Sequence, residues 1–305
     1  MISYAQNFED IILWRALKHV SKGFYIDVGA FDPQIESVTK WFYDNDWRGI
    51  NVEPLEKYYD LFLLQRPKDI NLNFFVSDTV GDVDFYESEI TERSTGNVKS
   101  AKACQEEYGY KYKNSKKKSI TLNNICKEQN VTQAHFLKID VEGFEINVLR
   151  GFSFDTVRPW IVLFEAVSTT GEHEDISDDC VNYLESRNYH QVYFDGLNKF
   201  FVADEHKELD AAFNTPLNIF DQPFVQLDSA HWLLLQEKEK FRQMIQRKDQ
   251  EMATLNQAIQ QKSEALQRKD IEVQQRETEI AVMEASKFWK MRGKYISLKN
   301  KLGIK

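Results

Sequence analysis

The sequence predicts an α/β fold, a doubly wound and mostly parallel sheet followed by a long C-terminal helix. Three observations predict it. Short apolar runs alternate with segments of helical period from residue 7 to residue 203, and that alternation builds a parallel sheet covered by helices. Carboxylates and glycines gather where those runs end, which is where such sheets bind ligands. Gly and Pro then vanish between Pro223 and Gly293, and the charge changes sign. Residues 231–305 carry 16 Lys and Arg against 10 Asp and Glu, a net of +6; residues 1–230 carry 23 against 38, a net of −15.

The elements follow in order. Phe8, Ile11, Ile12, Ala16 and Leu17 make one helical stripe over residues 7–20. Residues 23–29 are a short strand ending in a glycine turn, and residues 34–46 a helix. Residues 49–54 are a second strand, stopped by Pro54, and residues 55–65 a helix rich in Leu, Tyr and Phe. Residues 72–78 read as a third strand with residues 81–86 as its hairpin partner. A short helix over 121–129, a strand over 135–141 and a helix over 145–149 come next. Trp160–Phe164 is fully apolar and strand-like, and helix 177–187 with strands 189–194 and 199–203 closes the body. The expected organisation is a body over 1–205, a connecting segment over 206–230, a coiled-coil helix over 231–285 and a basic aromatic tail over 286–305.

Composition removes several classes. Of the 305 residues 42% are hydrophobic and 13% aromatic, too much apolar surface for a disordered chain. No apolar run approaches 18 residues, so no membrane-crossing helix is expected. The N-terminus has acids and no basic region, so no cleaved leader is expected. Cys104, Cys126 and Cys180 lie far apart, which fits reduced thiols and no structural zinc. The expected location is the cytoplasm, at the inner face of a membrane if the basic tail meets lipid. The acidic body argues against nucleic acid, which needs a basic footprint.

Acids at the strand ends carry the first functional signal. The first strand ends in Asp27-Val-Gly-Ala-Phe-Asp-Pro33, so Asp27, Gly29, Ala30 and Asp32 share one turn, where Gly29 lets backbone approach a ligand closely. The second strand ends in Glu53, placed to accept the hydroxyls of a ribose. Asp78 ends the next strand and faces an adenine amino group on this reading. The chain has no G-x-G-x-x-G to cradle a pyrophosphate, and Asp27 and Asp32 repel phosphate. This disfavours a nicotinamide-dependent oxidoreductase and fits a nucleoside with a positive centre, as S-adenosylmethionine is. The same acids also fit caps on the following helices.

The second signal is Lys138-Ile-Asp-Val-Glu-Gly-Phe-Glu145, which delivers Asp140 and Glu142 to the carboxyl end of a buried strand. Carboxylates this close raise one another's pKa, and one of them then suits a general base. Capping of helix 145–149 by Glu142 or Glu145 is the alternative.

With these motifs in view, the chain resembles the FkbM-type S-adenosylmethionine-dependent methyltransferases. The resemblance rests on residues 3–10, 24–33, 49–54, 76–78 and 136–145, with Val148-Leu-Arg-Gly151 following, and covers about residues 1–205. It implies a Rossmann-like class I methyltransferase fold and methylation of a hydroxyl on a sugar or natural product. It implies that Asp27, Gly29 and Glu53 hold the cofactor, with Asp78 near the adenine, and that Asp140 and Glu142 face the transfer site. The stretch Ile90–Gly96 falls where relatives carry a Ser-Thr pair, but its neighbours here are charged.

The expected reaction is O-methylation of a sugar hydroxyl on a glycan or glycolipid precursor. Asp140 is the expected base, with Glu142 or Glu165 the next candidates, because Glu165 ends the Trp160–Phe164 strand at the same sheet edge. These three acids also suit Mg²⁺, an alternative not favoured because no tight ligand spacing demands it. His173 is a further candidate base in a loop. Residues 88–119 read as an acceptor-side lid or a solvated loop. Seven lysines (Lys99, Lys102, Lys111, Lys113, Lys116, Lys117, Lys118) interleave there with Tyr108, Tyr110 and Tyr112.

In the tail, Ile245, Met252, Ile259, Leu266, Val273 and Ile280 recur every seven residues, with Leu255 and Met283 beside them. That pattern predicts a coiled coil and a homo-oligomer, although Lys248, Lys262, Lys269 and Arg276 occupy the alternate seam position. Residues 286–305 hold seven basic residues, no acid and several aromatics, which fits a membrane-surface helix or a docking peptide. A competing reading of the whole is a non-catalytic scaffold with a methyltransferase-like body, assembling partners through its coiled coil.

Overall fold

A computed structural model gives the fold, and it describes residues 1–90, 93–167, 177–222, 224–225 and 231–302; at 224–225, 231–246 and 249–251 it describes backbone alone. The chain forms two compact units, Met1–His231 and Trp232–Lys305.

In chain order the first unit runs β1 (Ile2–Ser3), α1 (Glu9–Leu17), β2 (Phe24–Val28), α2 (Lys40–Asp44), β3 (Arg48–Val52), α3 (Glu56–Gln65), β4 (Ile70–Leu72), β5 (Phe75–Val76), β6 (Gly81–Ser88) and α4 (Val98–Tyr108). It continues through β7 (Tyr112–Ile120), α5 (Leu122–Glu128), β8 (Phe136–Ile139), α6 (Glu145–Arg150), β9 (Ile161–Glu165), α7 (Asp178–Glu185), β10 (Tyr189–Phe194), β11 (Asn198–Ala203) and β12 (Phe224–Val225).

Seven strands form the main sheet in the order β10-β11-β9-β8-β2-β3-β4. All are parallel except β11, which runs against both of its neighbours. The expected α/β class, with a mostly parallel sheet, is present. After β2 the chain builds outward through β3 and β4; it then returns to lay β8 and β9 on the other side. The strand order therefore reverses between β2 and β8, the place where open α/β sheets bind ligands.

Strand alternation sorts the core. Ile26, Val28, Leu137, Ile139, Val162 and Phe164 face one side, packed with Ile125 of α5, Val148 and Leu149 of α6 and Leu184 of α7. Tyr25, Phe136, Ile161 and Leu163 face the other, packed with Leu13 and Leu17 of α1 and Phe42 of α2. The period of two places Asp27 and Lys138 on the second face, one step beyond Tyr25 and Phe136. Both are buried.

The structure refines several of the expected elements. Residues 72–78 are two strands: β4 ends the main sheet, while β5 joins a separate sheet of order β5-β7-β6. The hairpin partner of 81–86 is β7, which pairs antiparallel along all of β6. Three of the clustered lysines pair with acids there: Lys118 with Asp82 at 2.7 Å, Lys116 with Asp84 at 2.8 Å and Lys117 with Glu87 at 3.0 Å. In place of the solvated loop that is the alternative to a lid, residues 98–120 hold helix α4, capped by Asn97 and stopped by Gly109 at φ 72°, followed by β7. Within the expected connecting segment 206–230, the described residues pack on the body. Leu209 and Phe213 of the 3₁₀ stretch Asp204–Phe213 are buried against α1, Arg15 binds Asp221 at 2.6 Å, and β12 pairs with β1.

The second unit holds α8 (His231–Ala285), one continuous helix, and α9 (Lys287–Lys301). Met252, Leu255, Ile259, Leu266, Val273, Ile280 and Met283 are exposed along α8 in this single chain. Among the described residues no helix is long and apolar enough to cross a membrane.

Candidate functional site

Two groups of residues meet at the switch point. The first is the turn after β2. Gly29 has φ 74°, and a Cβ there would lie 1.8 Å from the Asp140 carbonyl oxygen. Only glycine fits, because both the backbone angle and the close approach of Asp140, just after β8, forbid a side chain. Gly29 N–H and Ala30 N–H donate to the Val52 carbonyl at 3.0 and 3.2 Å, which ties the turn to β3. Glu53 braces it from behind: its carboxylate accepts from Phe31 N–H at 2.9 Å and Leu55 N–H at 2.8 Å. Burial pushes the Glu53 pKa up to about 7 against these two bonds. Each oxygen keeps a lone pair for a further donor. Asp32 accepts from Gln34 N–H and Ile35 N–H, so it also closes a local turn.

Asp27 is drawn inward rather than presented to the surface. It is 1% exposed, accepts from Thr39 Oγ1 at 2.9 Å and lies 3.4 Å from Lys138 Nζ. Thr39 is held in turn by the buried Arg66, which also donates to the Pro33 carbonyl and Ser37 Oγ. Lys138 links the two groups: Nζ donates to the Gly29 carbonyl at 2.8 Å and lies 3.4 Å from Asp140. Asp27 and Asp140 together raise its pKa against burial.

The second group is acidic. Asp140, Glu142 and Glu165 each offer a carboxylate oxygen, and these lie within 4.8 Å of one another. Asp140 follows β8 and Glu165 ends β9, its parallel neighbour. Glu142 and Gly143 have φ 55° and 89°, so the chain reverses and brings Glu142 back beside Asp140. Glu145 braces the turn that precedes α6: its Oε1 accepts from Val141 N–H and Gly143 N–H at 3.2 and 3.1 Å, and the expected side-chain cap on the helix itself is absent. Burial, with nearby acids, pushes Glu142 up to about 8 and Glu145 to about 7, and raises Glu165 well above the usual carboxylate range. Hard oxygen donors of this kind suit a divalent cation. One of them already holds a cation, because Arg93 Nη1 lies 3.3 Å from Glu142 and offsets part of the repulsion.

Arg93 comes from the smaller sheet's long connection, and its neighbours clamp the same turn. Thr95 Oγ1 donates to the Glu142 carbonyl at 2.7 Å, and Asn97 Nδ2 donates to the Gly143 carbonyl at 2.8 Å. Arg93, Thr95 and Asn97 therefore wall the acid cluster.

The structure thus joins Asp27, Gly29, Ala30, Glu53 and Asp140 through Lys138 and the β2 and β3 turns, and joins Asp140 to Glu142 and Glu165. It gives no contact between these and Asp78, which is exposed after β5, bonded to Ser77 Oγ. Its turn packs instead on Gly151, where a Cβ would meet the Ser77 carbonyl at 2.3 Å. His173 lies outside the described residues. Sequence reasoning gave no role to Lys138 or Asn97 and marked Arg93 and Thr95 only as part of the charged Ile90–Gly96 stretch. A lysine inside the apolar run Phe136–Ile139 was a usable signal for the first; nothing local marks Asn97.

A search of curated proteins finds no match. The methyltransferase FkbM domain matches residues 27–191, from within β2 to within β10. That span covers more than half of the chain and holds the glycine turn, Lys138 and the whole acid cluster, so the chain belongs to the FkbM methyltransferase family.

Proposed function

We propose that the chain is an S-adenosylmethionine-dependent O-methyltransferase that acts on a sugar hydroxyl of a glycan or glycolipid precursor. One observation carries the reading: the glycine turn and the acid cluster abut at the switch point, with room for a Cβ at Gly29 taken by the Asp140 backbone. The turn at Gly29 and Ala30 and the carboxylate of Glu53 would hold the nucleoside. The cofactor, when bound, supplies a methyl group on a positively charged sulfur.

The chain's own residues then have three tasks. Lys138 fixes the turn and Asp140 relative to one another, which sets the distance between the two ligands. Asp140, with its side chain 40% exposed and ion-paired to Lys138, takes the proton from the acceptor hydroxyl. Burial and the neighbouring acids push Glu142 up to about 8 and raise Glu165 well above the usual carboxylate range; a carboxyl of this pair that carries a proton donates a hydrogen bond to an acceptor oxygen. Arg93 limits the charge that Glu142 adds.

Thermal unfolding with S-adenosylmethionine, S-adenosylhomocysteine and NAD tests the pocket. Ligand at a hundred times its Kd adds about 2.7 kcal/mol to the native state, so the first two raise Tm by a few degrees and NAD does not. No rise with any of them refutes the cofactor assignment. Asp140→Asn tests the base: the Tm rise survives while methyl transfer from labelled cofactor into a glycolipid extract falls about 10²–10⁴-fold. Transfer at the parental rate removes Asp140 from that role.

A further inference from the structure

α9 stands apart from the heptad pattern that precedes it. The seam of α8 advances by sevens through Ile259, Leu266, Val273 and Ile280, and the next position is Lys287. Ser286 interrupts the helix with ψ 143° and restarts it, its Oγ accepting from Trp289 N–H at 3.2 Å. The apolar surface of α9 is thus a new stripe with its own direction.

That stripe has a defined pattern. At 3.6 residues per turn, Phe288, Met291, Tyr295 and Leu298, continued by Leu302 after the last turn, fall within an arc of about 80°. They are 74%, 66%, 68%, 61% and 64% exposed. Lys287, Lys290, Lys294 and Lys301 line one border of the arc, and Arg292 and Lys299 the other. Beyond that second border lie Trp289 and Ile296, with the Arg292 guanidinium 4.8 Å over the Trp289 ring. The opposite face holds Gly293, Ser297 and Asn300. No acidic residue occurs from Ser286 to Lys305.

We propose that α9 lies flat on an anionic membrane surface, with Phe288, Met291, Tyr295, Leu298 and Leu302 entering the acyl boundary and the bordering lysines meeting lipid phosphates. Charge complementarity selects this occupant: a purely basic border suits a sheet of anionic headgroups. Aromatic rings with polar edges settle at the water–hydrocarbon boundary. The helix is too short and too charged to cross a bilayer, so it binds in the plane. The inference stands on α9 alone and goes beyond the methyl-transfer reading; neither depends on the other.

Sedimentation of the full chain with phosphatidylcholine vesicles, with and without phosphatidylglycerol, tests it. The chain pellets with the anionic vesicles and stays in solution with the neutral ones, and roughly 0.5 M NaCl releases it. The double variant Met291→Glu, Leu298→Glu abolishes pelleting. Lys290→Glu, Lys294→Glu weakens it about tenfold or more, while Ser297→Ala on the polar face leaves it unchanged. Circular dichroism checks that the variants keep their helix. Failure to pellet with anionic vesicles overturns the proposal and leaves the stripe to a protein surface. Pelleting that both double variants retain overturns it equally.

Discussion

Lys138 Nζ lies 2.8 Å from the Gly29 carbonyl and 3.4 Å from both Asp27 and Asp140. Asp27 is almost wholly buried, and its Oδ1 has no hydrogen bond in good geometry, so the ion pair with Lys138 is what balances that oxygen. Lys138→Met removes the cation and strands a buried carboxylate, which costs about 3–5 kcal/mol; urea unfolding reads this directly. A loss below 1 kcal/mol would show that the pair is not the balance. The buried acids make a second prediction. Burial raises Glu9 and Glu142 to about 8, and Glu53 and Glu145 to about 7. Their folded-state values exceed the unfolded value near 4.5, so the folded chain binds protons more tightly. The stability they add is complete below about 4.5 and is lost as pH rises through 7 and 8. His135 opposes them, because burial lowers its pKa and its contribution is lost as pH falls below 6.5. Four acids outweigh one histidine, so Tm falls between pH 6 and pH 8.5 in a calorimetric scan. A Tm that rises over that range contradicts the assignment.

At the scale of elements, β6 and β7 show which interactions matter. Their facing acids and lysines are partly or largely exposed, and exposed pairs contribute about 0–1 kcal/mol each. Phe85 on the same strand is 2% exposed and packs edge-on against Phe75. Lys116→Glu therefore costs less than about 1 kcal/mol, while Phe85→Ala costs about 3–5 kcal/mol. Denaturation of both variants checks the ordering, and a reversed order would make charge rather than packing the support of this sheet. The sheet matters to the site because the connection from β6 to α4 carries Arg93, Thr95 and Asn97. The clustered lysines of β7 read in isolation as a basic surface. Only the register Asp82↔Lys118 and Asp84↔Lys116 assigns them their partners.

At the scale of the molecule, α8 leaves a heptad row of apolar residues exposed on the single chain. We expect a second copy to cover it through residues 231–285, although the lysines at the alternate seam position weaken the core. Light scattering of the full chain then gives a multiple of its 35.9 kDa, while a chain ending at residue 231 gives one copy. A monomeric full chain refutes this pairing. The sequence by itself determined the fold class, the family resemblance and the acids and glycines at the strand ends. Those features come from periods of two and 3.6 residues and from local backbone needs, which neighbours along the chain express. It also placed Glu165 beside Asp140 by counting strand ends. What only the tertiary structure decided is who meets whom. Arg93 reaches Glu142 across 49 residues and Lys138 reaches Gly29 across 109. Asp78 ends a strand of another sheet, and Asp27 turns inward to a lysine. Such pairings depend on sheet order and on the desolvation of charge in a shared core, and no local pattern encodes either.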